Sequence, residues 1–168
     1  AAEEFAQLDT QALQHSPADV IIYPLEKPGE RFPFVNPAAQ GFRLGEPASR
    51  PELFAAYLEG VGYVERLAYE TLASLGAELG PEVYVAGGAT KSAPWLQIRA
   101  DILGKTLLAP QDSGGAMGAA VIAAGGTLYR GIVPAARAMV RLAAEVRPRP
   151  ELAAAYDDRY QRFRAACR

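Results

Sequence analysis

The sequence predicts an α/β fold in which at least part of the sheet is parallel. Segments with helical periodicity alternate with short runs rich in β-branched and aromatic residues, and parallel strands need crossover helices of this kind. The length of 168 residues fits one domain, and half of the residues are hydrophobic, enough for a real core. Only three strands are evident, fewer than the roughly five or six of an average sheet, which is typical of the end of a larger sheet.

The first part of the chain is predicted to hold one helix, one strand and a long loop. Residues 3–14 carry apolar side chains at helical spacing, and residues 20–23 form the apolar run Val-Ile-Ile-Tyr. Residues 24–51 contain six prolines, too many for a regular element. Structureless loops beyond about 12–15 residues are usually functional or disordered. The phenylalanines of this loop indicate that it is ordered and packed down.

The middle of the chain carries the longest predicted helix. Pro51 is favourable in a first helical turn, Ser49 can cap it, and apolar residues recur at helical spacing as far as about residue 75. Gly60 and Gly62 interrupt this helix at a cost of roughly 1 kcal/mol each relative to alanine. We therefore expect another backbone to pack closely against them.

Strands and helices alternate after this helix. Residues 83–86 are predicted as the second strand, and a helix begins after Ser92. Residues 106–108 are predicted as the third strand. Residues 113–126, mostly glycine and alanine, are predicted as a helix that packs tightly against a sheet or another helix. From Val133 onward we expect two helices separated by Arg-Pro-Arg-Pro.

The most informative short stretch is Val-Tyr-Val-Ala-Gly-Gly-Ala-Thr-Lys-Ser, residues 83–92. A strand that delivers two glycines to a helix start leaves open backbone for an anion or a ribose phosphate, and Gly87 and Gly88 supply it here. Ser92 can either cap the helix or offer its hydroxyl to a base or sugar. A tight turn with an ordinary helix cap explains the same residues at least as well. The phosphate-loop motif does not match, because Thr90 stands where that motif has glycine before lysine.

Charge and composition argue against several classes of protein. The net charge of −2 disfavours nucleic-acid binding, and no apolar run is long enough for a membrane span. His15 has no second imidazole or cysteine nearby for a metal site, and with the terminal Cys167 it cannot build a catalytic triad. We therefore expect a cytoplasmic protein without membrane or nucleic-acid partners, and we assign no catalytic and no metal-binding residue in this chain.

Isolated charged residues receive structural roles. Glu30 and Arg31 are expected to hold the long loop through a local ion pair. Glu59 and Asp101 are single carboxylates on predicted helices, where a solvated face or a helix-packing contact is the default expectation.

Four segments occur in a characteristic order along the chain. They are Pro-Leu-Glu-Lys-Pro-Gly-Glu-Arg-Phe-Pro-Phe at 24–34, Leu-Glu-Gly at 58–60, Val-Ala-Gly-Gly through Ile-Leu-Gly-Lys at 85–105, and Ala-Met-Gly-Ala-Ala through Gly-Gly at 116–126. Together they resemble the C-terminal domain of the FGGY family of carbohydrate kinases, the group that includes xylulokinase and glycerol kinase. The ordered combination is far more specific than any one segment. One departure is Ser-Gly-Gly at 113–115, where the family often has a glutamate.

The resemblance implies an actin-like, ribonuclease-H-related ATPase fold in which two α/β lobes close on ATP and a sugar. Residues 1–168 would form one domain, the C-terminal lobe. Carried over by position, Gly87, Gly88 and Ala89 would line the adenosine and α-phosphate side of the cleft. Ser92 would lie where family members contact the base.

The resemblance also implies that the catalytic part of the kinase lies outside these residues. The N-terminal lobe, with its phosphate-binding loops and catalytic aspartate, has no counterpart here, and the Mg²⁺ ligands are expected mainly there. The parent enzyme would transfer the ATP γ-phosphoryl group to a ketose or polyol hydroxyl, and this chain alone would be inactive. Its expected partners are ATP or ADP, the sugar, the missing lobe and, through exposed lobe surface, a second copy. The alternative is a non-catalytic, actin-like binding or interaction module.

Overall fold

The computed structural model describes residues 2–167, which form six α-helices and five β-strands. The helices are α1 (Ala2–Ala12), α2 (Arg50–Ser74), α3 (Ala93–Leu103), α4 (Gly115–Thr127), α5 (Ile132–Met139) and α6 (Ala153–Ala166). The strands are β1 (Ile21–Tyr23), β2 (Phe42–Leu44), β3 (Glu82–Tyr84), β4 (Thr106–Pro110) and β5 (Leu142–Val146). Short 3₁₀ turns lie at Leu13–His15, Gly88–Lys91 and Pro150–Leu152. Within residues 2–167, no helix combines the length and the apolar character needed to cross a membrane.

A three-stranded sheet of order β3-β4-β5 contains the expected parallel pair. β3 and β4 run parallel with Val83 opposite Leu107, and α3 forms the crossover between them. The buried side chains of Leu96 and Ala100 on α3 pack with Leu107 and Val85. The crossover helix therefore covers one face of this sheet and fixes the direction of the chain between its two parallel strands.

β5 corrects the expected pair of C-terminal helices. The helix expected from Val133 ends at Met139, and Leu142–Val146 pairs antiparallel with β4, with Leu108 opposite Glu145. Alanine and glutamate favour a helix locally. The edge of β4 offers hydrogen-bond partners to this segment, and pairing in a sheet outweighs intrinsic propensity.

The long proline-rich loop is ordered and contains a strand that the sequence does not reveal. β2 lies within it and pairs antiparallel with β1 in a separate two-stranded sheet. The carboxylate of Glu30 accepts hydrogen bonds from the Tyr23 hydroxyl and from the backbone N–H groups of Arg31 and Phe32. The loop is therefore held by these hydrogen bonds rather than by the expected Glu30–Arg31 ion pair. The Tyr23 hydroxyl and two backbone amides satisfy the Glu30 carboxylate. The bond from Tyr23 also lowers the pKa of Glu30.

α2 forms one side of the larger core. A Cβ atom at Gly60 would lie 2.3 Å from the carbonyl oxygen of Ile22, which confirms the expected close approach of another backbone. At Gly62 the close neighbour is a side chain, because a Cβ there would lie 2.7 Å from the Ile102 methyl carbon Cδ1. The largest fully buried side chains around α2 are aromatic: Tyr63, Tyr156, Tyr160 and Phe163.

The small-residue helix α4 packs against α5. Val121 and Ala124 are its buried residues, and they form a cluster with Ala135 of α5. A Cβ atom at Gly125 would come within 3.0 Å of the backbone at Gly131 and Ile132, so the glycine permits a close approach. The expected tight packing against another helix is confirmed. Exposed large apolar residues lie on both helices and directly after α4: Ile122, Leu128, Ile132 and Val133.

Candidate functional site

An open cleft of about 860 Å³ lies between the carboxyl ends of β3 and β4 and the helices α4 and α5. The sequence produces this location because β3 and β4 are parallel, so both strands end at the same edge of the sheet, where α/β proteins commonly bind ligands. The lining residues are Tyr84, Ala86, Pro110, Asp112, Ser113, Gly114, Met117, Gly118, Val121, Ile122, Ile132, Val133, Ala136, Arg137, Val140 and Leu142.

The cleft is mainly apolar, with a few polar groups in its lining. Asp112, Ser113 and Gly114 lie in the connection between β4 and the start of α4, and Arg137 lies on α5. Methionine, valine and isoleucine side chains of α4 and α5 form the apolar wall. A mostly apolar cleft with a few polar groups suits a flat organic group, such as a nucleoside, that also carries hydrogen-bonding atoms.

The glycine turn follows directly after Ala86 at the mouth of the cleft. Gly87 has φ +90° and ψ −171°, a combination that is essentially restricted to glycine. Its carbonyl oxygen accepts hydrogen bonds from both the backbone N–H of Thr90, at 3.2 Å, and the Thr90 hydroxyl, at 2.8 Å. Among the described residues, no atom lies within 4 Å of a Cβ built on Gly87 or Gly88. Hydrogen bonds between Gly87 and Thr90 therefore stabilise the turn, while its two glycines face open space.

Ser92 ends the turn and caps α3. Its Oγ accepts a hydrogen bond of 3.0 Å from the backbone N–H of Trp95, which satisfies one of the free amides of the first helical turn. The same hydroxyl donates a hydrogen bond of 2.6 Å to a carboxylate oxygen of Asp9 on α1. The capping role considered from the sequence is thus present, and the contact with Asp9 adds a tertiary connection between α1 and the turn.

The four predicted nucleotide contacts lie together on this turn. Gly87 and Gly88 are exposed, whereas Ala89 and Ser92 are half-buried. The cleft lining includes the neighbouring Ala86 but none of the four residues themselves. They therefore follow a lining residue along the chain without lining the cleft themselves, and their contact with a nucleotide stays a prediction.

The sequence model of the FGGY family of carbohydrate kinases, C-terminal domain, matches residues 1–126. The chain belongs to the FGGY family of carbohydrate kinases. The resemblance seen in the ordered segments is therefore confirmed, and the match spans the glycine turn, α3 and most of α4.

Individual relatives of this FGGY domain are xylulose kinases. The chain is 29% identical over 155 residues to xylulose kinase of Bacillus subtilis, covering 89% of this chain and 31% of that protein. It is 39% identical over 100 residues to xylulose kinase of Escherichia coli, covering 56% of this chain and 20% of that protein. The crystal structure of xylulose kinase from Rhodospirillum rubrum superposes with a TM-score of 0.78 at 31% identity, covering 96% of this chain and 33% of that one.

The chain therefore spans about a third or less of the length of these relatives. Its fold is the C-terminal domain of the actin-like ATPase fold found in FGGY sugar kinases, which confirms the expected fold class.

Two features in and near the cleft of this FGGY domain are not predictable from the sequence. Arg137 and Leu142 belong to the segment expected to be one helix, so its division between α5 and β5 was needed to place them in the lining. Asp9 meets Ser92 across 83 residues of sequence, and no local pattern indicates this contact. Asp112 and Ser113 carry a usable signal, because polar residues directly after a parallel strand lie at the ligand-binding edge.

The described residues of this FGGY domain do not fit a metal site by themselves. Within residues 2–167, no group of three or more His, Cys, Asp or Glu side chains lies close enough together to hold an ion. We therefore derive no step through a magnesium ion from these residues.

Proposed function

We propose that this chain binds the adenosine part of ATP or ADP in the cleft between the β3–β4 edge and α4–α5. In the parent enzyme it would act as the nucleotide-binding lobe of a kinase that phosphorylates a hydroxyl of a ketose or polyol. One observation carries the proposal. A domain of the FGGY carbohydrate kinases has, at its parallel-strand edge, an open apolar cleft whose lining residue Ala86 leads directly into a bare glycine turn.

The chemistry of the cleft fits an adenosine group. The apolar wall of α4 and α5 can cover the faces of a purine ring, since aliphatic and methionine side chains pack well on flat aromatic surfaces. The bare backbone at Gly87 and Gly88 lets a ribose or α-phosphate approach more closely than a side chain would allow. Ser92 follows this turn, and we expect its hydroxyl oxygen to contact the base.

The chain supplies binding and orientation in this proposal, and we assign it no catalytic residue. When bound, ATP supplies the γ-phosphoryl group that is transferred. Phosphoryl transfer also needs a base at the acceptor hydroxyl and a metal ion at the phosphates. We expect these groups, together with most contacts to the sugar, in the part of the relatives that this chain does not span. The xylulose kinases among its relatives favour a ketose such as xylulose as the acceptor.

A nucleotide titration followed by amide chemical shifts tests the proposal. Millimolar ATP added to the 168-residue chain should shift the amide signals of Gly87, Gly88, Ala89 and Ser92, and those of the cleft wall. ADP should shift the same signals, because the proposed contacts are made to the adenosine part that ATP and ADP share. No response to either nucleotide would reject the proposal.

A matched pair of glycine variants sharpens this test. A Cβ at Gly88 meets no described atom within 4 Å, so Gly88→Ala should fold normally and obstruct only an incoming ligand. We expect it to weaken ATP binding by roughly tenfold, equivalent to about 1.4 kcal/mol. Gly80→Ala is the control, since Gly80 is also uncrowded and lies at the opposite end of β3. Equal ATP affinity in the two variants would place the nucleotide elsewhere.

A second candidate function is a non-catalytic interaction module, and the exposed apolar residues of α4 and α5 favour it. Leu128, directly after α4, is 81% exposed and Val133 of α5 is 61% exposed, and exposed apolar patches often mark interaction sites. In this reading the apolar surface pairs with a second copy or another chain. Light scattering over a dilution series checks for a homo-oligomer, and a monomer at every concentration would count against it. A cytoplasmic location stays a prediction from the cysteine content.

A further inference from the structure

The hydroxyl of Ser92 has already committed its proton within the protein. It donates to Asp9 at 2.6 Å and accepts from the backbone N–H of Trp95 at 3.0 Å. A serine hydroxyl has one proton and two acceptor lone pairs, and a carboxylate can only accept hydrogen bonds. One lone pair of the Ser92 oxygen therefore remains for a ligand, and no proton does.

Thr90 shows the same arrangement on the same turn. Its hydroxyl proton is donated to the carbonyl oxygen of Gly87 at 2.8 Å, so its oxygen also has only lone pairs left to offer. Both hydroxyl groups of the turn are thus acceptors toward an incoming molecule. For Thr90 the partner is the backbone of its own turn, whereas for Ser92 the partner is a side chain from α1, and a substitution can change it.

We propose that Asp9 determines which purine base this site accepts, by holding the Ser92 hydroxyl as an acceptor. The inference rests on the proposed function, in which Ser92 contacts the base. A 6-aminopurine such as adenine presents an N–H donor to this oxygen and forms a hydrogen bond. At the same position a 6-oxopurine presents a carbonyl oxygen, so two acceptors face each other there, and its N–H donor lies at the neighbouring N1.

Asp9 acts in this proposal as a positioning residue that does not touch the base. Without a fixed partner, the Ser92 hydroxyl would rotate and either donate or accept, so it would tolerate both classes of purine. The distinctive readout is therefore the ratio of affinities for two bases. A purely structural role of Asp9 would change both affinities together and leave that ratio constant.

The test uses the full 168-residue chain and three triphosphates whose purines differ at position 6 and, in inosine, also at N1, which carries a proton. They are ATP with an amino group, purine riboside triphosphate with a hydrogen, and inosine triphosphate with a carbonyl. Affinities come from amide shifts of the glycine turn. We expect ATP to bind best and the inosine nucleotide worst, with about 3- to 10-fold between ATP and the purine riboside nucleotide.

Two substitutions of Asp9 test the role of its carboxylate: one removes the acceptor of the Ser92 proton, and the other replaces it with a donor. Asp9→Leu frees the Ser92 proton, so the preference for ATP over the inosine nucleotide should fall by about 3-fold or more. Asp9→Lys offers only donors, turns the Ser92 proton outward and should bring the preference close to one or below it. Glu4→Lys is the control, because it makes the same charge change on the same helix at a carboxylate that pairs with Arg50 at 2.6 Å. It should keep the wild-type preference.

The outcomes separate this inference from the proposed function. An unchanged ratio in both Asp9 variants, with ATP still binding, overturns the role of Asp9 alone. A wild-type chain that binds all three nucleotides equally also overturns it. A wild-type chain that binds none of them overturns the proposed function, and the inference with it. A ratio that falls in Asp9→Leu and again in Asp9→Lys, with Glu4→Lys like the wild type, supports both.

Discussion

The carboxylate of Glu59 accepts a hydrogen bond of 2.9 Å from the backbone N–H of Ala18, 41 residues away along the chain. Glu59 is fully buried on α2, and the Tyr63 hydroxyl donates to its other oxygen at 3.2 Å. Arg159 of α6 donates to the carbonyl oxygen of the same Ala18 at 2.6 Å. The short segment before β1 is therefore held from two helices, and one of the holding groups is a buried acid.

The buried acid predicts a pH-dependent stability. Burial raises the pKa of Glu59 to about 7, and the hydrogen bonds from Ala18, Ser16 and Tyr63 and the charge of Arg159 only partly oppose the rise. Between the ordinary value of 4.5 and about 7, the folded chain keeps a proton that the unfolded chain has lost. The resulting stabilisation is complete below about pH 4.5 and is lost as the pH rises through about 7.

Urea unfolding of the wild type and of Glu59→Gln checks this prediction. Relative to the variant, the wild type should gain about 2 kcal/mol in its free energy of unfolding between about pH 8 and about pH 5.5. Glu78→Gln, at an exposed loop carboxylate, should follow the wild type at both pH values. Identical pH profiles for the wild type and Glu59→Gln would mean that Glu59 is ionised in the folded chain.

A second buried acid joins α3 to the segment between β5 and α6. Asp101 accepts hydrogen bonds from the backbone N–H of Arg149 at 2.7 Å, from the Arg149 guanidinium at 2.7 and 3.0 Å, and from Gln97 at 2.9 Å. Its side chain is fully buried. Asp101→Ala leaves these donors unpaired, so we expect a loss of about 3–5 kcal/mol in the free energy of unfolding.

Local hydrogen exchange distinguishes the specific effect of Asp101→Ala from a general destabilisation of the fold. Hydrogen exchange should accelerate first in β5 and α6, because Arg149 lies between them. Glu46→Gln breaks the exposed pair of Arg43 and Glu46 and should cost no more than about 0.5 kcal/mol. A similarly small effect of Asp101→Ala would contradict the assigned role.

Gly60 offers a test in which alanine, the best helix former, should destabilise a helix. In an open helical site, Gly→Ala gains about 1 kcal/mol. At Gly60 the added methyl would lie 2.3 Å from the Ile22 carbonyl oxygen, so β1 must move, and we expect a net loss of about 1–3 kcal/mol. Gly126→Ala on α4 meets no described atom within 4 Å and should be neutral or stabilising. Thermal unfolding of both variants measures the contrast, and equal melting temperatures would argue against close packing of β1 on α2.

These residues show why the sequence predicts some elements and not others. The starts of α2 and α3 are predictable because Ser49 and Ser92 cap them and a proline follows each cap, and these signals act within a few residues. The strands β2 and β5 are short, and their strand conformation depends on partners far along the chain. The same separation in sequence hides the burial of Glu59 and Asp101.

The candidate site divides in the same way. The glycine turn is predictable, because a strand, two glycines and a helix cap follow one another directly. The α5 wall of the cleft and the contact between Asp9 and Ser92 are not predictable, because each depends on the tertiary fold. Local signals therefore indicate where a ligand can approach, and distant contacts determine what surrounds it.

The two glycines of the turn should respond differently to the same substitution. Gly87 has φ +90° and ψ −171°, where an L-residue is strained, so Gly87→Ala should cost about 1–3 kcal/mol although its methyl has open space. Gly88 has no positive φ and equal space, so Gly88→Ala should leave the free energy of unfolding within about 0.5 kcal/mol of the wild type. Urea unfolding of the two variants measures the difference. Equal losses would show that steric crowding, rather than backbone conformation, governs this turn, and weaker ATP binding by Gly88→Ala would then no longer report on the ligand alone.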